Sequence, residues 1–191
     1  MRKTSNIESS RNKKLVFSDS EWRRVYSNEA TGGFVATHVL KDDDNLTVPG
    51  IKAEADACIT LANFGKKVFR LPENVFNLID KITLKGIKYR ELLKFKTNRK
   101  EPRGYPDVFF DNQTWDFKKS EYRNANSTRK LILDGRKADN VVFIIESRDH
   151  LDIISKALTR EIGSRGKKER PIELPNVYFL WNNELGWLWK K

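Results

Sequence analysis

Asp116 and Lys118 stand two apart in the stretch QTWDFKK, and Asp107 lies upstream behind Pro106 in GYPDVFF. On a strand, side chains two apart leave the same face, so the Asp116 carboxylate and the Lys118 ammonium point together while Phe117 turns into the core. Asp111-Asn112 is turn chemistry for a hairpin, and pairing two strands across it brings Asp107 beside Asp116. Two carboxylates and an ammonium at one sheet edge suit a hard divalent cation, Mg²⁺ or Mn²⁺; Mg²⁺ takes oxygen ligands at about 2.0–2.1 Å. Such an ion eases deprotonation of a water and neutralises charge building on a phosphate, and a nearby lysine orients that water or stabilises that charge. The chemistry implied is hydrolysis of a phosphodiester without a covalent intermediate. A bare D-x-K is also common on ordinary exposed strands, so the weight falls on the ordered set around it.

Several elements must position these groups. From Pro49 to Phe64, apolar residues recur at helical spacing until Gly65 ends the run, which places Glu54 in the first turns of a helix just ahead of the buried strand KKVFRLPE. GGFVATHVL, before that helix, reads as a strand entered through a glycine pair, and the DDDN that follows reads as an exposed turn. Beyond the hairpin come a helix, the continuous apolar strand NVVFIIE, the amphipathic helix DHLDIISKALTREIG and a closing strand pair, NVYFLWNN with GWLWKK. This order predicts an α/β domain with a mixed central sheet flanked by helices. At 191 residues one domain is expected, with a loose lead-in over residues 1–31, the functional unit over 32–191 and a basic insertion at about 74–104.

Composition narrows the partners. Lys plus Arg number 37 against 26 Asp plus Glu, a formal charge of +11 that favours a polyanion such as nucleic acid, or an acidic protein. One cysteine, Cys58, excludes an internal disulfide and a cysteine-based zinc site, and two histidines, His38 and His150, do not make a histidine-rich one, so any metal must be held by oxygen. Candidates for nucleic-acid contact are Arg99, Lys100 and Arg103 in the insertion, with Trp115, Lys119 and Arg123 around the hairpin. Arg129, Lys130, Arg136 and Lys137, on or near the next helix, fit either phosphate contact or plain solvation. Trp181, Trp187 and Trp189 are expected to pack the final hairpin. No apolar segment follows the basic N-terminus, so neither a signal peptide nor a membrane anchor is expected and the domain reads as soluble.

The set Pro106-Asp107 followed by Asp116-Phe117-Lys118, preceded by GGFVATH and by AEADACITLANFGKKVFRLPE, resembles the PD-(D/E)xK nuclease superfamily. Within it the arrangement is similar to the tRNA nuclease toxin domains at the C-termini of bacterial contact-dependent inhibition proteins and in phage-associated effectors. The likeness runs over about residues 32–146. It implies that Asp107, Asp116 and Glu54 bind the metal, that Lys118 is the catalytic lysine, and that RNA is favoured over DNA. Asp116 stands where many relatives have glutamate. A toxin of this kind implies an acidic immunity protein as partner and action in the cytoplasm of a target cell reached from a producing bacterium. The alternatives are a DNA-cleaving nuclease of a phage or mobile element and a nucleic-acid-binding domain without catalysis.

Overall fold

A computed structural model of the chain describes residues 21–41, 49–95, 102–119, 124–166 and 174–190. The Asp42–Asp44 turn, Arg99, Lys100 and Arg123 lie outside the described residues.

Strands β1 (Trp22–Asn28) and β2 (Gly33–His38) lead into helix α1 (Pro49–Asn63) and strand β3 (Lys67–Arg70). Short pieces follow: a 3-10 turn at Phe76–Leu78, strands β4 (Thr83–Leu84) and β5 (Ile87–Lys88), and the single-turn helix α2 (Tyr89–Leu92). Strands β6 (Val108–Phe110) and β7 (Gln113–Lys118) form a hairpin, followed by α3 (Ala125–Asp134), a 3-10 turn at Gly135–Lys137 and β8 (Asn140–Ile144). Helix α4 (Arg148–Gly166) and the hairpin β9 (Asn176–Trp181) to β10 (Glu184–Trp189) complete the described chain. Eight strands make one sheet in the order β1-β2-β3-β6-β7-β8-β9-β10. The pairs β2–β3, β7–β8 and β8–β9 are parallel and the others antiparallel. The protein is thus an α/β domain with a large mixed central sheet flanked by helices.

Alternation along the central strands sorts the core into two faces. Val108, Phe110, Trp115 and Phe117 pack with Ala57, Cys58 and Leu61 of α1, whereas Val141 and Phe143 pack with Ile132 of α3 and Ile154 of α4. Helix α1 sits very close to the sheet: a Cβ placed on Gly33 would stand 1.9 Å from the Ala62 carbonyl oxygen, so only glycine lets β2 start beneath the end of that helix. Helix α3 begins where expected for its sequence, with the Asn124 side chain accepting from the Asn126 and Ser127 backbone N–H groups.

Three expectations change. The sheet begins at Trp22 rather than at residue 32, because β1 pairs along β2 as an edge strand with a bulge between Arg24 and Tyr26. The described part of the basic insertion, expected as an addition to the domain, packs into its core. Val75, Ile79, Ile82, Leu84, Tyr89 and Leu92 are buried with Phe69 and Phe109 of the sheet, so this segment closes a core while its lysines and arginines stay outside. Trp187 is 60% exposed and therefore does not pack the final hairpin as Trp181 and Trp189 partly do. Among the described residues no helix is long and apolar enough to cross a membrane.

Candidate active site

The hairpin β6–β7 carries the expected trio. Asp107 stands one residue before β6; its N–H donates to the Trp115 carbonyl at 3.0 Å, and its Oδ2 accepts from the Phe117 N–H at 2.7 Å. The carboxylate is therefore fixed to the backbone of β7. Asp116 is fully buried, and Lys118 Nζ lies 2.7 Å from its Oδ2, as the two-residue alternation requires. A second ammonium completes the group: Lys137, at the end of the 3-10 turn after α3, lies 2.7 Å from Asp116 Oδ1 and 3.2 Å from Asp107 Oδ1. Its stem crosses Gly104, whose φ of +149° and whose missing Cβ, which would sit 3.1 Å from Lys137 Cδ, both call for glycine.

Helix α1 brings Glu54 to the same end of the sheet. Its Oε1 lies 3.2 Å from Arg70 Nε on β3 and 3.0 Å from Lys41 Nζ just past β2, and Lys41 also holds Glu73 at 3.1 Å. One carboxylate oxygen each from Glu54, Glu73 and Asp107 lie within 4.8 Å of one another. Opposite oxygens around an octahedral Mg²⁺ stand about 4.2 Å apart, so this all-oxygen set would fit a hard divalent ion once the Lys41 ammonium, which bridges Glu54 and Glu73, swings aside. Of the expected metal ligands, Glu54 and Asp107 meet in this group and Glu73 is the third. Asp116 stands beside it, its two oxygens held by Lys118 and Lys137 instead. A cavity of about 280 Å³ opens over the group, lined by Ile51, Glu54, Asp107, Phe117, Lys118 and Lys119 among others.

Burial raises the Asp116 pKa to about 7, the Asp107 charge pushes the same way, and Lys137 and Lys118 oppose both. Burial likewise raises Glu54, with Lys41 pulling it down and Asp107 pushing it up. Burial works against the Lys137 ammonium, but Asp107 and Asp116 outweigh it and hold its pKa above the usual lysine range. Lys41 is held charged in the same way by Glu54, Glu73 and Asp107.

The remaining candidates separate. Trp115 is buried and stacks on Phe110 with centroids 4.3 Å apart, its indole N–H donating to the Phe110 carbonyl; it is a core residue and cannot stack on a base. Lys119 is exposed and ion-paired with Glu146. Arg103 donates from Nε to the Phe95 carbonyl at 3.3 Å. Lys41, Arg70, Glu73 and Lys137 are the members that the sequence did not single out. Glu73 closes the quoted stretch KVFRLPE, and Lys137 was one of several helix-end cations with no feature to rank it above its neighbours. The chain matches no protein-family model, no curated protein and no solved structure.

Proposed function

We propose that this protein is a metal-dependent nuclease that hydrolyses phosphodiester bonds, with RNA, and tRNA in particular, as the substrate that the resemblance implies. The observation that carries this reading is the meeting of Glu54, Glu73, Asp107 and Asp116 with Lys118 and Lys137 at one end of the sheet. All but the exposed Glu73 are largely withdrawn from solvent; burying such charges costs more than apolar packing would, and buried titratable groups with shifted pKa values cluster at reacting centres.

Glu54, Glu73 and Asp107 would hold Mg²⁺ or Mn²⁺, which when bound supplies a more acidic water and offsets phosphate charge. Asp107, locked to the Phe117 N–H, keeps the carboxylates in register with β7. Asp116, fully buried with one oxygen on Lys118 and the other on Lys137, positions both ammoniums at the site. Lys118, which lines the cavity, stabilises negative charge developing on the phosphate. The formal charge of +11 suits a polyanionic substrate and an acidic inhibitor, as a toxin used in bacterial competition would need.

Purified wild type and Asp116→Asn, incubated with total tRNA and with plasmid DNA in Mg²⁺ and in EDTA, test the reading. The expected result is metal-dependent tRNA cleavage that the substitution lowers by roughly two to three orders of magnitude. Cleavage of plasmid alone would make the protein a DNA nuclease, and no cleavage by a folded wild type in either arm would overturn the proposal.

A further inference from the structure

Two lysines stand among the carboxylates, and the acids they hold differ in access. Lys41 reaches Glu54 at 3.0 Å and Glu73 at 3.1 Å, and the Glu73 side chain is 47% exposed. Lys137 reaches Asp116 Oδ1 at 2.7 Å and Asp107 Oδ1 at 3.2 Å, and the Asp116 side chain has no exposed surface. The other Asp116 oxygen lies 2.7 Å from Lys118, so an ion bound to Asp116 would have to displace an ammonium. Mg²⁺ gives up its waters reluctantly and keeps several when bound, which favours carboxylates that open on solvent. Glu54 and Asp107 line the cavity of about 280 Å³, whereas neither Asp116 nor Lys137 is among its described lining residues. A tethered ammonium needs no such path, because folding delivers it.

The chain around Lys137 is anchored on several sides. Its 3-10 turn presses on β8, since a Cβ on Gly135 would stand 2.9 Å from the Val141 side chain. Two residues on, the Asp139 carboxylate accepts from the Thr114 N–H and hydroxyl of β7 at 3.0 and 2.8 Å, and the Asp139 N–H donates to the Thr114 carbonyl at 3.2 Å. The Lys137 stem lies against Gly104, where a Cβ would crowd its Cδ at 3.1 Å and its Cβ at 3.5 Å. A backbone latched to two strands and a stem seated over a glycine fix the ammonium between the two aspartates, with little side-chain freedom left to lose.

We propose that Lys137 is a resident cation standing in for a second metal ion: it closes the Asp107–Asp116 pair to divalent ions, so that the centre takes a single ion on Glu54, Glu73 and Asp107. The proposal rests on the metal-dependent reading above. Asp116 is then a partner of two ammoniums and not a metal ligand, and Lys137 is the residue that sets how many ions bind.

Mn²⁺ is the probe, counted by electron paramagnetic resonance at about 0.1 M salt, which screens loose surface binding. The wild type should bind one ion per chain, with an uncoupled spectrum. Lys137→Met, checked for folding by circular dichroism, should take up a second ion on Asp107 and Asp116, its spin coupled to the first because Asp107 serves both. Combining Lys137→Met with Asp116→Asn should remove that second ion again. Asp116→Asn alone should keep the single ion and lose less Mn²⁺ affinity than Glu54→Gln, which should cost about 10–100-fold. If Lys137→Met fails to fold, this last comparison decides. A coupled pair of ions in the wild type, a folded Lys137→Met that still takes only one, or a loss in Asp116→Asn as large as in Glu54→Gln would overturn the proposal and leave a metal-dependent centre standing. A folded wild type that binds no Mn²⁺ removes the metal-dependent reading itself, and the role of Lys137 with it.

Discussion

The β6–β7 hairpin turns through Asp111 and Asn112 at φ of 50° and 58°, and the β9–β10 hairpin turns through Asn182 and Asn183 at 48° and 61°. Both use the left-handed residue pair that matches the twist of the strands and sets the register beside the turn, although β9–β10 shifts farther along, between Trp187 and Trp189. Their surroundings differ. β6 and β7 lie inside the sheet between β3 and β8, whereas β10 is an edge. In the inner hairpin Trp115 is buried against Phe110; in the outer one Trp187 is exposed, with the Lys190 ammonium 5.2 Å from its ring. The turn therefore fixes which residues face each other, and the flanking strands and helices decide whether a carboxylate placed there is buried, paired and shifted in pKa. A reacting centre needs the second condition as well as the first.

The sharpest way to break this comparison is by core truncation. Phe117 packs with α1 residues under the inner hairpin, so Phe117→Ala should cost about 3–5 kcal/mol, read as a Tm drop of roughly 2–4 °C for each kcal/mol. Trp187→Ala in the outer hairpin should stay within about 0.5 kcal/mol. Equal losses from the two would show that the edge hairpin is as integral to the core as the central one.

A smaller effect is expected at Glu73, which joins Glu54 and Asp107 from the chain just beyond β3. Glu73→Gln should raise the Mn²⁺ concentration needed for cleavage by roughly 10–100-fold and shrink the rise in Tm that Mn²⁺ gives the wild type. Glu184→Gln, on the outer hairpin, should change neither. A Mn²⁺ response untouched by Glu73→Gln would leave Glu73 as a partner of Lys41 and nothing more.

Much of the fold and half of the site were legible in the sequence, and the boundary between the two is physical. Helix α1, the strands β3 and β8, and both hairpins announce themselves through local periodicity and turn residues, which is why Glu54, Asp107, Asp116 and Lys118 arrive together. Strand β1 was hidden because adjacent Arg23 and Arg24 and a bulge break its alternation. The insertion was hidden because each of its elements is only two to four residues long, too short to show a period. Lys41, Glu73 and Lys137 owe their places to contacts with residues distant in the chain, which no local pattern carries. Trp115 could have been read correctly: the alternation that sends Phe117 into the core sends Trp115 there too, away from Asp116.

The subtlest consequence of burying the inner hairpin is its pH dependence. Asp116 titrates near 7 in the folded protein and near 3.8 when unfolded. As pH rises between these values the unfolded chain releases the proton first, so the stability contributed by the neutral carboxyl is full below about 4 and is lost as pH passes 7. His38 works the other way: burial lowers it to about 4 from its ordinary 6.5, so its contribution is present above 6.5 and is lost as pH falls toward 4. Over the shared window the two slopes oppose each other, and the wild type should show a shallow profile. Asp116→Asn removes one of them, so its stability should climb from pH 4 to 6.5, and the difference between variant and wild type should shift in the variant's favour until about pH 7. The readout is Tm against pH in the absence of divalent ions, with a change of a few degrees expected. Parallel profiles for the two proteins would mean that Asp116 is charged throughout this range, and that the inner hairpin, for all its burial, treats its carboxylate no differently from an exposed one.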